Sequence, residues 1–196
     1  GRLFKANISG GINLLEAMAS SGVKKIVFSS TAAVYGEPQE IPIREYAPKS
    51  PVNSYGESKL AFERILTWYQ MAYGIHHISL RYFNACGATK MFGEFHVPET
   101  HLIPIVFEVA LGEQDAIHLF GTDYDTRDGS CIRDYIHVID IARAHLMALE
   151  KIDDLKGEAF NLGNGIGYSN REVIQTVERV VGEKISVIEA DRRPGD

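Results

Sequence analysis

Ile26-Val27-Phe28-Ser29-Ser30-Thr31-Ala32-Ala33-Val34-Tyr35-Gly36, followed after a polar loop by Ser54-Tyr55-Gly56-Glu57-Ser58-Lys59, is the stretch around which the chain is organised. The apolar run Ile26–Phe28 reads as a buried strand that leaves its hydroxyl residues at the carboxyl end. The second piece opens a helical pattern from Tyr55 to Tyr73, with Pro51, Asn53 and Ser54 as start signals. Tyr55 and Lys59 are four apart and so share one helix face. A free phenol titrates near pH ~10, and a neighbouring cation favours its phenolate. A hydroxyl such as that of Thr31 could bond the same substrate oxygen. Together they are equipment for taking a proton from an alcohol while a hydride leaves for another acceptor. A Tyr and a Lys at this spacing, standing alone, more often mark a solvated helix face.

The chain has 196 residues, 45% apolar and 23% charged, as an ordinary globular protein has. That length holds one domain, or one and part of another. A net charge of −6 argues against non-specific nucleic-acid binding. Cys86 and Cys131 read as two reduced thiols of a cytoplasmic protein, and the apolar stretch 103–111 is too short to span a membrane. No His, Cys or carboxylate cluster has metal-ligand spacing, so no metal is expected. His137 and His145 read as structural histidines. The chain enters a helical pattern almost at once and closes just after a strand pattern, so a fragment is expected.

Taken in order, Ile8, Ile12, Leu15 and Ala19 give a helical stripe ended by Gly22. Strand patterns fall at 24–30, 75–81, 116–120, 134–138, 159–162 and 185–189. Helices are expected over 55–73, 102–111 and 139–151, and from Ser169 to Val181 behind a capping box with Glu172. Alternation of this kind favours an α/β fold with a mostly parallel sheet, whose ligands bind beyond the carboxyl ends of the strands. Ser29–Thr31 and Tyr82–Asn84 both fall at such ends.

The motifs FSSTAAVYG at 28–36, SYGESK at 54–59, LRYFNACGA at 80–88, PETHLIP at 98–104, LFGTDYDTRDG at 119–129, RDYIHVIDIARAH at 133–145 and FNLGNG at 160–165 occur in one register. In them the chain resembles the extended short-chain dehydrogenase/reductase family, and within it the epimerases of UDP-sugars. The resemblance implies a Rossmann-like doubly wound parallel sheet, present in part, with a smaller C-terminal α/β region for the substrate. It places the cofactor half with its catalytic residues at 1–85. The UDP-sugar region then covers 86–196, with segments around 133–165 returning to the first domain.

It implies NAD as cofactor and the interconversion of UDP-glucose and UDP-galactose by transient oxidation at C4 of the sugar. Tyr55 takes the proton of the 4-hydroxyl, Lys59 lowers the pKa of Tyr55 and holds the nicotinamide ribose, and Thr31 bonds the 4-oxygen. Tyr82, Phe83, Ser29 and Asn7 fall on the cofactor side; Asn7 reads equally well as a helix cap. Asn84, Thr100, His101, Leu102, His118, Phe120, Arg133, Arg193 and Asp196 fall on the UDP-sugar side. Thr100-His101 departs from the family's commoner Asn pair. Arginine suits phosphate oxygens, although either arginine alone is as easily a surface ion pair. A homodimer formed through two helices is implied. On the Tyr55 helix, Trp68, Tyr69 and Met71 are candidates for it, and otherwise read as core.

Related 4,6-dehydratases carry Asp-Glu just after the Thr; here those places hold Ala32 and Ala33, so elimination lacks its acid–base pair. UDP-glucuronate, UDP-xylose or an N-acetylated UDP-sugar remain as alternative substrates. A non-catalytic UDP-sugar-binding relative is the alternative of another class. No G-x-x-G-x-x-G fingerprint is found, and the family places it upstream of Gly1. Residues 1–196 alone are therefore expected to bind NAD poorly and turn over little.

Overall fold

The computed structural model describes residues 1–192, so Arg193 and Asp196 lie outside the described residues. In chain order the elements are α1 (Arg2–Phe4), a π-helical run Lys5–Ser9, α2 (Gly10–Ser21), β1 (Lys25–Thr31), a 3-10 turn Ala32–Val34, α3 (Ser54–Tyr73), β2 (His76–Tyr82) and β3 (Asn84–Cys86). Then follow α4 (Leu102–Ala110), β4 (Ile117–Phe120), β5 (Ile132–His137), α5 (Val138–Lys151), β6 (Ala159–Leu162), β7 (Gly167–Ser169), α6 (Asn170–Val181) and β8 (Val187–Ala190). The chain divides into two compact units, Gly1–Ala85 with Val138–Gly163, and Cys86–His137 with the chain from Asn164 onward.

The first unit is a parallel sheet in the order β1-β2-β6. Its register runs from Lys25↔His76 to Thr31↔Tyr82, and from Ser79↔Ala159 to Tyr82↔Leu162. Thr31, Tyr82 and Leu162 therefore stand abreast at the carboxyl ends. Alternation along β1 sends Ile26 and Phe28 to a core of Leu15, Met18, Phe62, Leu66 and Ile75 beneath α2 and α3. Val27 goes the other way, with Ile78 and Leu80, against Ala148 and Ile152. Fully burying one such side chain is worth roughly 1.5–3 kcal/mol, and burying both faces of the sheet is what a parallel sheet requires. Gly74 closes α3 in the left-handed region, with φ 65°.

In the second unit, β4 and β8 run parallel and β5 and β7 antiparallel. Its core is Val106, Ile117, Ile174, Val177 and Ile185. Ser169 accepts from the Glu172 amide while the Glu172 side chain accepts from the Ser169 amide, which makes the expected capping box.

Three expectations fail. Asn7 lies inside the π-helical run and cannot be a helix cap. Trp68 and Met71 are 67% and 71% exposed, so neither is core: α3 turns its apolar stripe through Phe62 and Leu66, and these two residues fall on the opposite face. The strands β3 and β7 were not expected, because three residues carry no readable period. Among the described residues no helix is long and apolar enough to cross a membrane.

Candidate active site

The site of the first unit is built where β1 ends and α3 begins. Asn53 caps α3 by accepting from the Gly56 amide at 2.8 Å. Gly56 lets that first turn sit on the turn after β1, since a Cβ there would stand 2.4 Å from the Ala33 carbonyl oxygen. This close approach sets Tyr55 beside Thr31, whose hydroxyl acts on its phenol. Thr31 Oγ1 accepts from the Ala33 amide at 3.1 Å, which leaves its own proton free to point at the phenol oxygen. Burial pushes the Tyr55 phenol up, and the Thr31 hydroxyl pulls it partly back.

Lys59 lies one turn further on. Its Nζ donates to the Ser29 carbonyl at 3.0 Å and sits 5.0 Å from the Phe28 ring centroid and 5.7 Å from that of Tyr55. Burial holds its ammonium below the ordinary lysine range. The expected lowering of Tyr55 by Lys59 is absent here, because the ammonium is turned to the strand carbonyl and lies over the ring rather than at the phenol oxygen. Among the described residues only the Ser29 carbonyl engages its N–H groups, which leaves donors that fit adjacent ligand hydroxyls.

Ser29 is a junction. Its carbonyl takes Lys59, and its Oγ lies 2.8 Å from the Tyr82 hydroxyl. That hydroxyl is also 2.8 Å from His145 Nε2, while His145 Nδ1 is 2.9 Å from the Ile141 carbonyl. Burial raises the Tyr82 phenol. Asn7 Nδ2 donates to Ser58 Oγ at 2.9 Å, next to Lys59. Phe83 is half-buried and its amide donates to the Leu162 carbonyl at 3.0 Å. Asn84 opens β3.

Sequence reasoning missed the group under this site. Arg81 and Glu63, 3% and 8% exposed, form a bidentate pair, with Nε to Oε1 at 3.0 Å and Nη2 to Oε2 at 2.6 Å. Ser30 Oγ donates to the same carboxylate at 2.5 Å, and Arg81 Nη1 donates to the Tyr35 hydroxyl at 2.7 Å. Burial pushes the Arg81 guanidinium down and Glu63 more than restores it. The legible signal was an Arg in a strand read as buried, facing a Glu on the apolar stripe of a helix. His145 was visible only as a helix-face residue.

The other expected contacts belong to the second unit. Thr100 and His101 precede α4, and both amides and His101 Nδ1 approach the Glu99 carboxylate at 2.7 Å. These bonds hold Glu99 below the usual carboxylate range despite an opposing effect of burial. Leu102 packs on the α4 core. Glu94, Glu99 and His101 bring ligand atoms within 4.8 Å of one another, a grouping that sequence spacing did not show. Glu99 is already engaged by three N–H groups, which makes the cluster the lock of a loop. A neighbouring hollow of ≈ 540 Å³ lined by Pro98, Pro104, Phe107 and Leu111 contains none of the expected site residues. The rings of His118 and Phe120 stack at 6.0 Å. Arg133 is half-buried and donates to the Ile132 carbonyl at 3.2 Å.

A parallel sheet with hydroxyls at its strand ends and a Tyr-x-x-x-Lys helix laid over them defines an α/β protein of the Rossmann-like class. The chain belongs to the NAD dependent epimerase/dehydratase family, whose model matches residues 1–163. It is 53% identical over 196 residues to a UDP-glucose 4-epimerase of Halalkalibacterium halodurans, covering 98% of this chain and 59% of that one. Among solved structures it is similar to the UDP-glucose 4-epimerase of Brucella ovis in complex with NAD, with TM-score 0.93 and 44% identity over 98% of this chain and 60% of that one. The enzyme of Bifidobacterium longum in complex with NAD+ and UDP gives TM-score 0.91 and 42% identity over 98% and 59%. The chain thus spans about 60% of the length of these relatives.

Proposed function

We propose that the protein carrying this chain interconverts UDP-glucose and UDP-galactose, with NAD as cofactor, by transient oxidation at C4 of the sugar. The observation that carries this reading is the Tyr55–Thr31 pair at the strand end, with Lys59 one turn away and engaged, among the described residues, only by the Ser29 carbonyl. NAD, when bound, supplies a hydride acceptor that later returns the hydride, and its positive ring favours the Tyr55 phenolate. Tyr55 removes the proton of the sugar 4-hydroxyl and gives it back. Thr31 holds the phenol oxygen and the 4-oxygen in line, and Lys59 holds the ribose diol. Tyr82, Phe83, Ser29 and Asn7 complete the cofactor side. Asn84, Thr100, His101, Leu102, His118, Phe120 and Arg133 are assigned to the UDP-sugar, as are Arg193 and Asp196.

Conversion of UDP-galactose to UDP-glucose by the full-length natural polypeptide tests this. Tyr55→Phe is expected to lower turnover roughly 10²–10⁴-fold, with UDP binding retained. Unchanged turnover in that variant would remove Tyr55 from the chemistry. We place the protein in the cytoplasm as a homodimer. Two free thiols, Cys86 and Cys131, support the first assignment, and the exposed Trp68 and Met71 of α3 the second. A monomer in sedimentation would overturn the dimer, and secretion of the protein would overturn the compartment.

A further inference from the structure

The Tyr82 hydroxyl has a single proton and two neighbours at equal distance, Ser29 Oγ and His145 Nε2, each 2.8 Å away. Ser29 Oγ and His145 Nε2 are themselves 3.4 Å apart, a longer contact, so the two shorter bonds through Tyr82 carry the network. It cannot donate to both, so the chain of bonds must have a direction. His145 decides it. Its Nδ1 faces the Ile141 carbonyl at 2.9 Å, and a carbonyl only accepts, so Nδ1 carries a proton in either charge state. With His145 neutral, Nε2 is an acceptor: Tyr82 donates to it, and Ser29 Oγ in turn donates to Tyr82. The open side of Ser29 Oγ then offers only lone pairs. With His145 protonated, Nε2–H donates to the Tyr82 oxygen, Tyr82 donates to Ser29 Oγ, and the Ser29 proton turns outward. Ser29 is exposed, so this outward side faces whatever binds there.

We propose that His145 is a positioning residue: through Tyr82 it sets whether the Ser29 proton turns inward or toward the bound cofactor. This rests on the NAD reading above. A ribose hydroxyl that accepts from Lys59 must place its own proton on an acceptor; Ser29, whose carbonyl anchors Lys59, turns only lone pairs outward while His145 is neutral and turns its own proton toward that hydroxyl when His145 is protonated. Among the other charged groups on the packed elements, Arg81 of β2 is paired with Glu63. Lys59 of α3 bonds Ser29, the Tyr55 phenol couples to Tyr82, and Asp140 and Arg143 of α5 pair with each other. Lys25 of β1 and His76 of β2 pair with Asp153.

Nitrogen NMR of the full-length protein with labelled histidine reads the tautomer without any turnover. His145 is expected as the Nδ1–H form at about pH 8, with its Nε2 signal moved by Tyr82→Phe; an Nε2–H tautomer would overturn the proposal. The second readout is NADH fluorescence titration as the pH falls from about 8 to about 5.5. Affinity should drop about threefold to tenfold, the range of one net hydrogen bond, and His145→Gln should flatten that dependence. An unchanged dependence in His145→Gln sinks the proposal while leaving the epimerase reading intact. No NADH binding at any pH sinks the cofactor reading itself, and the ligand half of this proposal with it.

Discussion

Tyr55, Lys59 and Glu63 stand at i, i+4 and i+8 on one face of α3, and the two ends of that row live in opposite environments. At the Glu63 end both carboxylate oxygens are bonded by Arg81, Ser30 adds a third donor, and the group is nearly closed to water. At the Tyr55 end the residue is 40% exposed beside Thr31, and among the described residues its lysine neighbour is engaged only by the Ser29 carbonyl. One helix is thus fixed at one point so that, two turns away, it can present groups to a ligand. A buried ion pair is weak evidence of net stability, but it is intolerant of losing one member. That intolerance suits an anchor.

The comparison can be broken at the anchor first. Glu63→Ala leaves the Arg81 guanidinium buried and uncompensated, at a cost of about 3–5 kcal/mol in urea unfolding of the full-length protein. Replacing both members by apolar residues, Glu63→Leu with Arg81→Met, should cost far less. If Glu63→Ala costs under ~1 kcal/mol, the pair is no anchor. Gly56→Ala attacks the open end instead. Its Cβ would meet the Ala33 carbonyl oxygen at 2.4 Å, so the first turn of α3 must lift and carry Tyr55 away from Thr31. A displacement on the order of 1 Å lowers turnover roughly 10²-fold, with UDP affinity kept. Equal turnover in this variant would show that the contact between α3 and Ala33 does not set the site.

The same row shows how much the residues told in advance. Tyr55 and Lys59 were legible because their meaning is local: a start signal, a four-residue spacing and a preceding strand with hydroxyls at its end. The same holds for Ser169 with Glu172, and for Gly22, whose roles depend on neighbours in the chain. Glu63 was read as nothing, because its partner is 18 residues away on another element. His145 was read as structural, because Ser29 and Tyr82 are 116 and 63 positions distant. Trp68 and Met71 were misplaced for the opposite reason: large apolar side chains usually signal burial, and only the packing of Phe62 and Leu66 shows that α3 had already used its inner face. The orientation of Lys59 could not be read either, since spacing gives the face of a helix but not the carbonyl that the ammonium finds.

A third polar cluster, at the opposite ends of the same strands, sharpens the contrast. Lys25 begins β1 and His76 begins β2, and both reach the exposed Asp153, at 2.6 and 2.9 Å. Bonds from Lys25 and His76 hold the Asp153 carboxyl below its usual range. A depressed carboxyl stabilises the fold above its unfolded value, near ~3.9, and that contribution is lost as the pH falls through the folded value. Asp153→Asn should therefore make the stability of the protein flatter as the pH falls below about 4. The effect should be the smallest of the three, because exposed pairs are screened. Salt separates the cases: at about 1 M the Asp153 contribution should fade, whereas the cost of Glu63→Ala, which comes from a charge stranded away from water, should stay. Urea unfolding of both variants with and without salt measures this. If the two respond alike, burial does not distinguish the anchor from the surface pair.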